Sequence, residues 1–163
     1  MSSDTLTTLA ALVGTKLKAQ GAMLATAESC TGGWVAQAVT AVAGSSDWFE
    51  RGFVTYSDAA KQEMLGVSAD TLAKYGAVSE QTAREMAAGA LRHSRAQLAV
   101  AITGIAGPGG GSLEKPVGTV CFAWSDSKGA LVAQTRQFVG DRESVRRQSV
   151  MVALQGVLDL LEG

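Results

Sequence analysis

The sequence predicts an α/β fold: a three-layer α/β/α sandwich on a mixed sheet of about five strands, one of them antiparallel. Three observations predict it. Short apolar runs alternate with segments of helical period through the first half of the chain. Gln97–Thr103 is a nearly continuous apolar run, which fits a central strand buried on both faces. Two β-rich runs late in the chain are separated by Ser127-Lys128-Gly129, a tight hairpin turn. The 163 residues suit one domain, 1–163, with a sizeable core.

Each element has its own signal. Over 4–20, Leu6, Leu9, Leu12, Val13 and Leu17 recur at spacings of three and four, with Asp4 as N-cap and Gly21 as stop. Ala22-Met23-Leu24-Ala25 opens a strand over 22–27, which runs into the turn Glu28–Gly33. An Ala- and Val-rich helix follows over 32–43 and ends at Gly44-Ser45-Ser46. Asp47–Glu50 reads as a short turn that places Trp48 and Phe49 on the core, and the alternation of Arg51–Ser57 reads as a second strand. Short helices follow over 58–65, capped by Ser57 or Asp58 and closed by Gly66, and over 68–76. Ser79 caps a helix over 80–94 with the stripe Ala83, Met86, Ala87, Ala90 and Leu91. The central strand 97–103 leads into a glycine-rich loop, 104–112. Strands over 118–125 and 130–138 form the hairpin. The last helix, 141–161, carries Val145, Gln148, Val152, Leu154, Val157, Leu158 and Leu161 on one stripe.

Composition removes several function classes. At 47% hydrophobic and 18% charged residues the chain is globular rather than disordered. A net charge of -1 gives no electrostatic reason to expect nucleic acid. No apolar run approaches the ~20 residues of a membrane helix, and no signal-like start is present. Two cysteines, Cys30 and Cys121, without a CxxC pair, suit a cytoplasmic setting. The single histidine, His93, lies late in a helical pattern and suits a helix C-terminus better than chemistry. A Ser-His-Asp triad is therefore excluded unless His93 itself serves, and two Cys with one His supply no zinc ligand set.

In open α/β sheets, ligands sit off the carboxyl ends of the parallel strands. Three loops leave such ends: 28–33, 56–61 and 103–112. The first places Ser, Thr and two Gly at a helix start, where free N–H groups can hold an anion or a nucleophile's developing charge. Its alternative is a simple cap by Ser29 or Thr31. The residues available for chemistry are Glu28, Ser29, Cys30, Thr31, Tyr56, Ser57, Asp58, Lys61 and Thr103, with Lys115 and Arg142 reaching in from later loops. A serine nucleophile without histidine needs another base, and a lysine serves if burial lowers its pKa. Lys61, between Ala59-Ala60 and Met64-Leu65, is the best placed; its alternative is a solvated helix residue. Cys30 competes with Ser29 as nucleophile or is a small buried side chain. The glycine loop matches neither the P-loop nor the dinucleotide spacing, so it is a weak phosphate signal or a lid.

Ala27–Gly33, Gly44-Ser45-Ser46 with Trp48-Phe49, Gly52–Ser57 followed by Lys61, Gly76–Ser79, Thr103–Pro108 and Lys115–Val120 together resemble the nicotinamide-nucleotide amidase family, also called the CinA C-terminal domain family, in its stand-alone form. The resemblance spans almost the whole chain. It implies a three-layer fold, a homodimer, no cofactor and no metal. It also implies an amidohydrolase that converts nicotinamide mononucleotide and water to nicotinate mononucleotide and ammonia, within pyridine-nucleotide recycling. Carried onto this chain, the family pattern makes Ser29 the nucleophile, Lys61 its base and Tyr56 an assisting hydroxyl. Thr103 and the loop 104–108, with Gly104 and Gly107, build the pocket, and Arg142 takes the 5′-phosphate. Cys30, Thr31, Gly32 and Gly33 frame the oxyanion through backbone N–H groups. The partner is a small nucleotide, with neither nucleic acid nor membrane involved. The alternatives are a nucleotide-binding module without turnover and an amidase for a different amide.

Overall fold

Five strands form one sheet in the computed structural model, which describes residues 2–163. They are β1 (Leu24–Glu28), β2 (Phe49–Val54), β3 (Leu98–Gly104), β4 (Thr119–Asp126) and β5 (Leu131–Gln137). Their order is β2-β1-β3-β4-β5. β2, β1 and β3 are parallel, and β4 pairs antiparallel with both its neighbours, so it alone runs against the rest. The helices are α1 (Ser2–Ala19), α2 (Trp34–Thr40), α3 (Asp58–Leu65), α4 (Ala69–Tyr75), α5 (Glu80–Arg92) and α6 (Arg142–Glu162). α1, α2 and α6 pack together on one face, and α3 and α4 pack on α5 on the other. The fold is the expected three-layer α/β/α sandwich. No described helix is long and apolar enough to cross a membrane.

The period of two along the strands divides the core by size. Leu24, Val100, Ile102, Phe122 and Trp124 join the cluster under α1 and α6. Ala25, Ala27, Ala99, Ala101 and Ala123 join the cluster under α5. Alanines on that face let α5 lie close to the sheet. α3 in turn lies close to α5, at a distance only glycine allows, since a Cβ on Gly89 would collide with the Leu65 carbonyl oxygen. This approach fixes the position of α3, which carries Lys61. On the opposite face the Trp124 indole N–H donates to the Ala153 carbonyl of α6 (2.9 Å).

Several boundaries shift by one to three residues, β1 to 24–28 and the end of α2 to Thr40 among them; three boundaries and one helix stripe differ for a clear local reason. α1 starts at Ser2, ahead of the expected cap Asp4, whose side chain lies outside the described ones. β2 spans 49–54 rather than 51–57, because its parallel register with β1 starts at Leu24 opposite Phe49. The buried Trp48 therefore precedes the strand, and half-buried Phe49 begins it. α2 starts at Trp34 rather than 32, because Gly32 and Gly33 have φ of +58° and +104°, outside the right-handed helical region. The buried stripe of α6 is Val145, Ser149, Val150, Ala153, Leu154, Val157 and Leu158; Gln148, Val152 and Leu161 are half-buried. Small Ser149 and Ala153 escaped an apolar count, yet they form the close-packed row at spacing four. The caps Ser57 and Ser79 accept from Ala60 and Thr82 N–H as expected (3.0 and 3.1 Å). His93 ends α5, its Nδ1 2.9 Å from the Gly89 oxygen.

Candidate active site

The carboxyl ends of β1, β2 and β3 open onto a cavity of about 220 Å³. Ser29, Cys30, Tyr56, Asp58, Lys61, Thr103, Gly104 and Arg142 line it, so all three loops singled out in the sequence contribute to it. Its floor is an extension of the sheet. The Thr55 N–H donates to the Glu28 oxygen (2.8 Å), and the Ser29 N–H donates to the Ile102 oxygen (2.9 Å). Ser29 is thus the last residue that the ladder holds before the chain turns away.

Lys61 is 1% exposed and its Nζ is surrounded by acceptors. Ser29 Oγ and the Thr55 carbonyl oxygen each lie 3.0 Å away, and the Tyr56 carbonyl oxygen 3.3 Å. Among the described residues no carboxylate pairs with it. Burial pushes its pKa below the ordinary 10.5, while the Asp58 carboxylate and Cys30 pull it back up. A neutral amine fits this cage: its two hydrogens satisfy the two carbonyls, and its lone pair accepts the Ser29 hydroxyl proton. The Tyr56 carbonyl lies 3.5 Å from the same hydroxyl.

The turn after β1 is built around Glu28, which is also 1% exposed. Gly33 at the start of α2 supplies no side-chain cap. The Glu28 carboxylate does so instead, accepting from the Val35 and Ala36 N–H groups (2.9 and 3.0 Å) and from the Thr31 hydroxyl (2.6 Å). Capping therefore falls to Glu28, with Thr31 held by it. The first free donors of α2 already serve this carboxylate and face no ligand. Within the turn, Gly32 N–H donates to the Ser29 oxygen (3.0 Å). The N–H groups of Cys30, Thr31 and Gly33 meet no backbone carbonyl within the described chain. They are the donors left for an anion.

The remaining expected residues form the rim and the walls. The Thr103 hydroxyl donates to the Ala77 oxygen (2.9 Å) and so pins a wall of the cavity. The Tyr56 side chain is 63% exposed, with its hydroxyl 3.4 Å from Arg142 Nη2; Tyr56 meets Lys61 and Ser29 through its main-chain carbonyl. Arg142, the first residue of α6, also donates to the Gly107 oxygen (2.7 Å) and ties the glycine loop to the rim. Lys115 is held elsewhere, on the Tyr75 oxygen (2.7 Å). Cys30 is 5% exposed, and burial pushes its thiol pKa up to about 12, against the lowering effect of the Arg146 charge.

The sequence profile of the CinA C-terminal domain matches residues 6–161. The chain belongs to the CinA C-terminal domain family. Among its relatives is a nicotinamide-nucleotide amidohydrolase PncC from Escherichia coli K12, 57% identical over 95% of this chain and 94% of that one. A protein of the same name from Pseudomonas putida is 52% identical over 96% and 98%. The competence/damage inducible protein CihA from Agrobacterium tumefaciens superposes with a TM-score of 0.93, at 49% identity over 97% and 96% of the two chains.

In this CinA C-terminal domain two contributions to the site escaped the sequence. The first is Glu28 as a cap; its signal is a carboxylate at a strand end followed by a helix start that carries only glycine. The second is Arg146, which reaches from α6 to the carbonyls of Cys30 and Thr31 (3.0 and 3.1 Å). Nothing in the local sequence marks Arg146, since its partners lie more than a hundred residues away.

Proposed function

We propose that this chain hydrolyses the carboxamide of nicotinamide mononucleotide to nicotinate mononucleotide and ammonia, with Ser29 as nucleophile and Lys61 as base. The observation that carries the mechanism is the buried 3.0 Å contact between Lys61 Nζ and Ser29 Oγ at the base of the cavity. The substrate follows from the amidohydrolase relatives at 52–57% identity.

The steps run as follows. Neutral Lys61 takes the Ser29 proton as Oγ attacks the carboxamide carbon. The carbonyl oxygen becomes an oxyanion held by the free N–H groups of Cys30 and Thr31; one such donor typically lowers a barrier by about 3 kcal/mol. Lys61 returns the proton to the departing nitrogen, ammonia leaves, and a nicotinoyl ester remains on Ser29. Lys61 then takes a proton from a water whose oxygen attacks the ester carbon; the bond from that carbon to Ser29 Oγ breaks, Lys61 returns the proton to Oγ, and the acid product leaves. Arg142 engages two partners of its own and has further guanidinium donors for the 5′-phosphate. Tyr56, at the same rim, orients Arg142, Thr103 and Gly104 shape the pocket, and Gly107, outside its lining, acts through the carbonyl that holds Arg142. The reaction belongs to pyridine-nucleotide recycling. In this proposal the whole of 1–163 acts as one amidase domain, homodimeric as the family resemblance implies and cytoplasmic as the cysteine usage suggests; both cysteines are free.

The test is ammonia release from nicotinamide mononucleotide by wild type and Ser29→Ala, beside a panel of non-nucleotide amides. The expected result is turnover by wild type and a loss of about 10⁴-fold or more in the variant. Undiminished activity in folded Ser29→Ala overturns the nucleophile. Nucleotide binding without ammonia from wild type makes the chain a binding module instead.

A further inference from the structure

We infer that Arg146 is a positioning residue for the oxyanion donors, acting through the two carbonyls it holds; this rests on the amidase reading above. Its Nε donates to the Cys30 oxygen at 3.0 Å and its Nη2 to the Thr31 oxygen at 3.1 Å. A trans peptide is planar, with its C=O and N–H pointing in opposite directions. Holding the Cys30 oxygen towards α6 therefore turns the Thr31 N–H away from α6. Holding the Thr31 oxygen there turns the Gly32 N–H away too, and that group closes on the Ser29 oxygen at 3.0 Å. The Ser29 oxygen belongs to the peptide whose N–H is Cys30, so that plane is fixed as well. The Trp34 N–H also donates to the Thr31 oxygen (3.0 Å), so Arg146 shares that plane with α2, holds the Cys30 oxygen alone, and with Trp34 sets three consecutive amide planes. Two of them end in N–H groups that meet no backbone carbonyl in the described chain, directly after the nucleophile.

The turn needs such a holder. Gly32 and Gly33 follow with φ of +58° and +104°, and glycine brings the loosest backbone of any residue. The charged donor also polarises the Cys30–Thr31 peptide, which strengthens the Thr31 N–H as a donor. Among the described residues Arg146 makes no ion pair. Its other contact, a stack on the Trp34 ring at 5.5 Å, is shared by the next residue, Arg147, at 5.3 Å. Arg147 shows no hydrogen bond to the turn, so the molecule carries its own control: two neighbouring arginines on one indole, one of which holds the turn.

The experiment measures kcat and KM for nicotinamide mononucleotide, together with thermal melting, for wild type, Arg146→Ala, Arg146→Lys and Arg147→Ala. Arg146→Ala is expected to lose about 100-fold in kcat, the scale of a misplaced oxyanion donor, with KM within about threefold. Millimolar guanidinium ion is expected to restore about tenfold of that loss. Arg147→Ala is expected to keep kcat within about threefold despite losing the same stack. If Arg146→Ala does not fold, Arg146→Lys decides: it keeps the charge but not the two-pronged geometry, and is expected to lose about tenfold in kcat. The inference is overturned if the folded Arg146 variant keeps wild-type kcat, if only KM moves, if guanidinium ion restores nothing, or if Arg147→Ala loses as much. A wild type that releases no ammonia overturns the amidase reading and this inference together; an active wild type indifferent to Arg146 overturns this one alone.

Discussion

Glu28 ends β1, and Lys61 sits on α3, the helix that follows the neighbouring parallel strand β2; each is 1% exposed. Their surroundings are opposite. Glu28 receives three donors, two of them from the first turn of α2. Lys61 has only neutral acceptors, two carbonyls and a serine hydroxyl, and burial pushes its pKa down. A buried charge that is fully met by donors becomes framework. A buried amine that no carboxylate meets is driven towards its neutral form, and a neutral amine beside a hydroxyl is a base. Equal burial therefore produces a brace at one strand end and a reactive group at the next.

Replacing Lys61 tests this contrast most severely. Lys61→Met is expected to lower kcat by about 10⁴-fold, the upper range for a general base. Its melting temperature is expected to fall by at most a few degrees, because relief from burying an amine that no carboxylate meets offsets the loss of the donor to the Thr55 and Tyr56 carbonyls. Ammonia release and thermal melting check both. A large loss of stability would make Lys61 a brace like Glu28 and dissolve the distinction. Glu28→Ala should behave in the opposite way. It leaves two N–H groups of α2 and the Thr31 hydroxyl without their acceptor, at an expected cost of about 3 kcal/mol in urea unfolding. A cost under about 0.5 kcal/mol would show that water replaces the carboxylate and that the brace is dispensable.

How legible this contrast was in the sequence differs between its two halves. Lys61 was readable because a serine without a usable histidine needs another base, and Ala59-Ala60 and Met64-Leu65 mark the helix as partly buried. The sheet was readable too, since Leu98–Ile102 is buried throughout and leaves no other strand pattern. Glu28 was visible only as one carboxylate among several candidates. Its role depends on Gly32 and Gly33 delaying the start of α2 until Val35 and Ala36 face back towards β1. Tyr56 shows a further limit. Sequence reasoning works with side chains, whereas here the main-chain carbonyl approaches Lys61 and the hydroxyl turns to the rim. Backbone direction and partners a hundred residues apart are set by packing, and no local pattern encodes them.

A pH profile sharpens the Lys61 half. The amine must be neutral to accept the Ser29 proton, so kcat/KM is expected to rise about tenfold per pH unit below the Lys61 pKa and to level off above it, at a pH under lysine's ordinary 10.5. Stability moves in the same direction. The folded pKa lies below the unfolded one, so the unfolded chain binds more protons between the two values, and Lys61's contribution to stability rises with pH across that window. Lys61→Met removes that slope. A kcat/KM flat from pH 6 to 10 would show that proton transfer to an amine does not limit the reaction.

The smallest expected effect belongs to Cys30, the residue after Ser29 in the cavity wall. Burial dominates its thiol and pushes the pKa up to about 12; the Glu28 carboxylate adds to that, and Arg146 and Lys61 oppose it. At pH 8 such a thiol is ionised to about one part in ten thousand, too little for a thiolate nucleophile. What Cys30 gives the reaction is its main-chain N–H, which Cys30→Ala retains. That variant is expected to keep kcat within about threefold and to lose about 1 kcal/mol of stability from the small cavity left behind. Iodoacetamide should leave wild-type turnover intact, since the thiol is both 5% exposed and protonated. A hundredfold loss in folded Cys30→Ala would move the nucleophile from Ser29 to Cys30, and the Lys61 contact with Ser29 would then need another explanation.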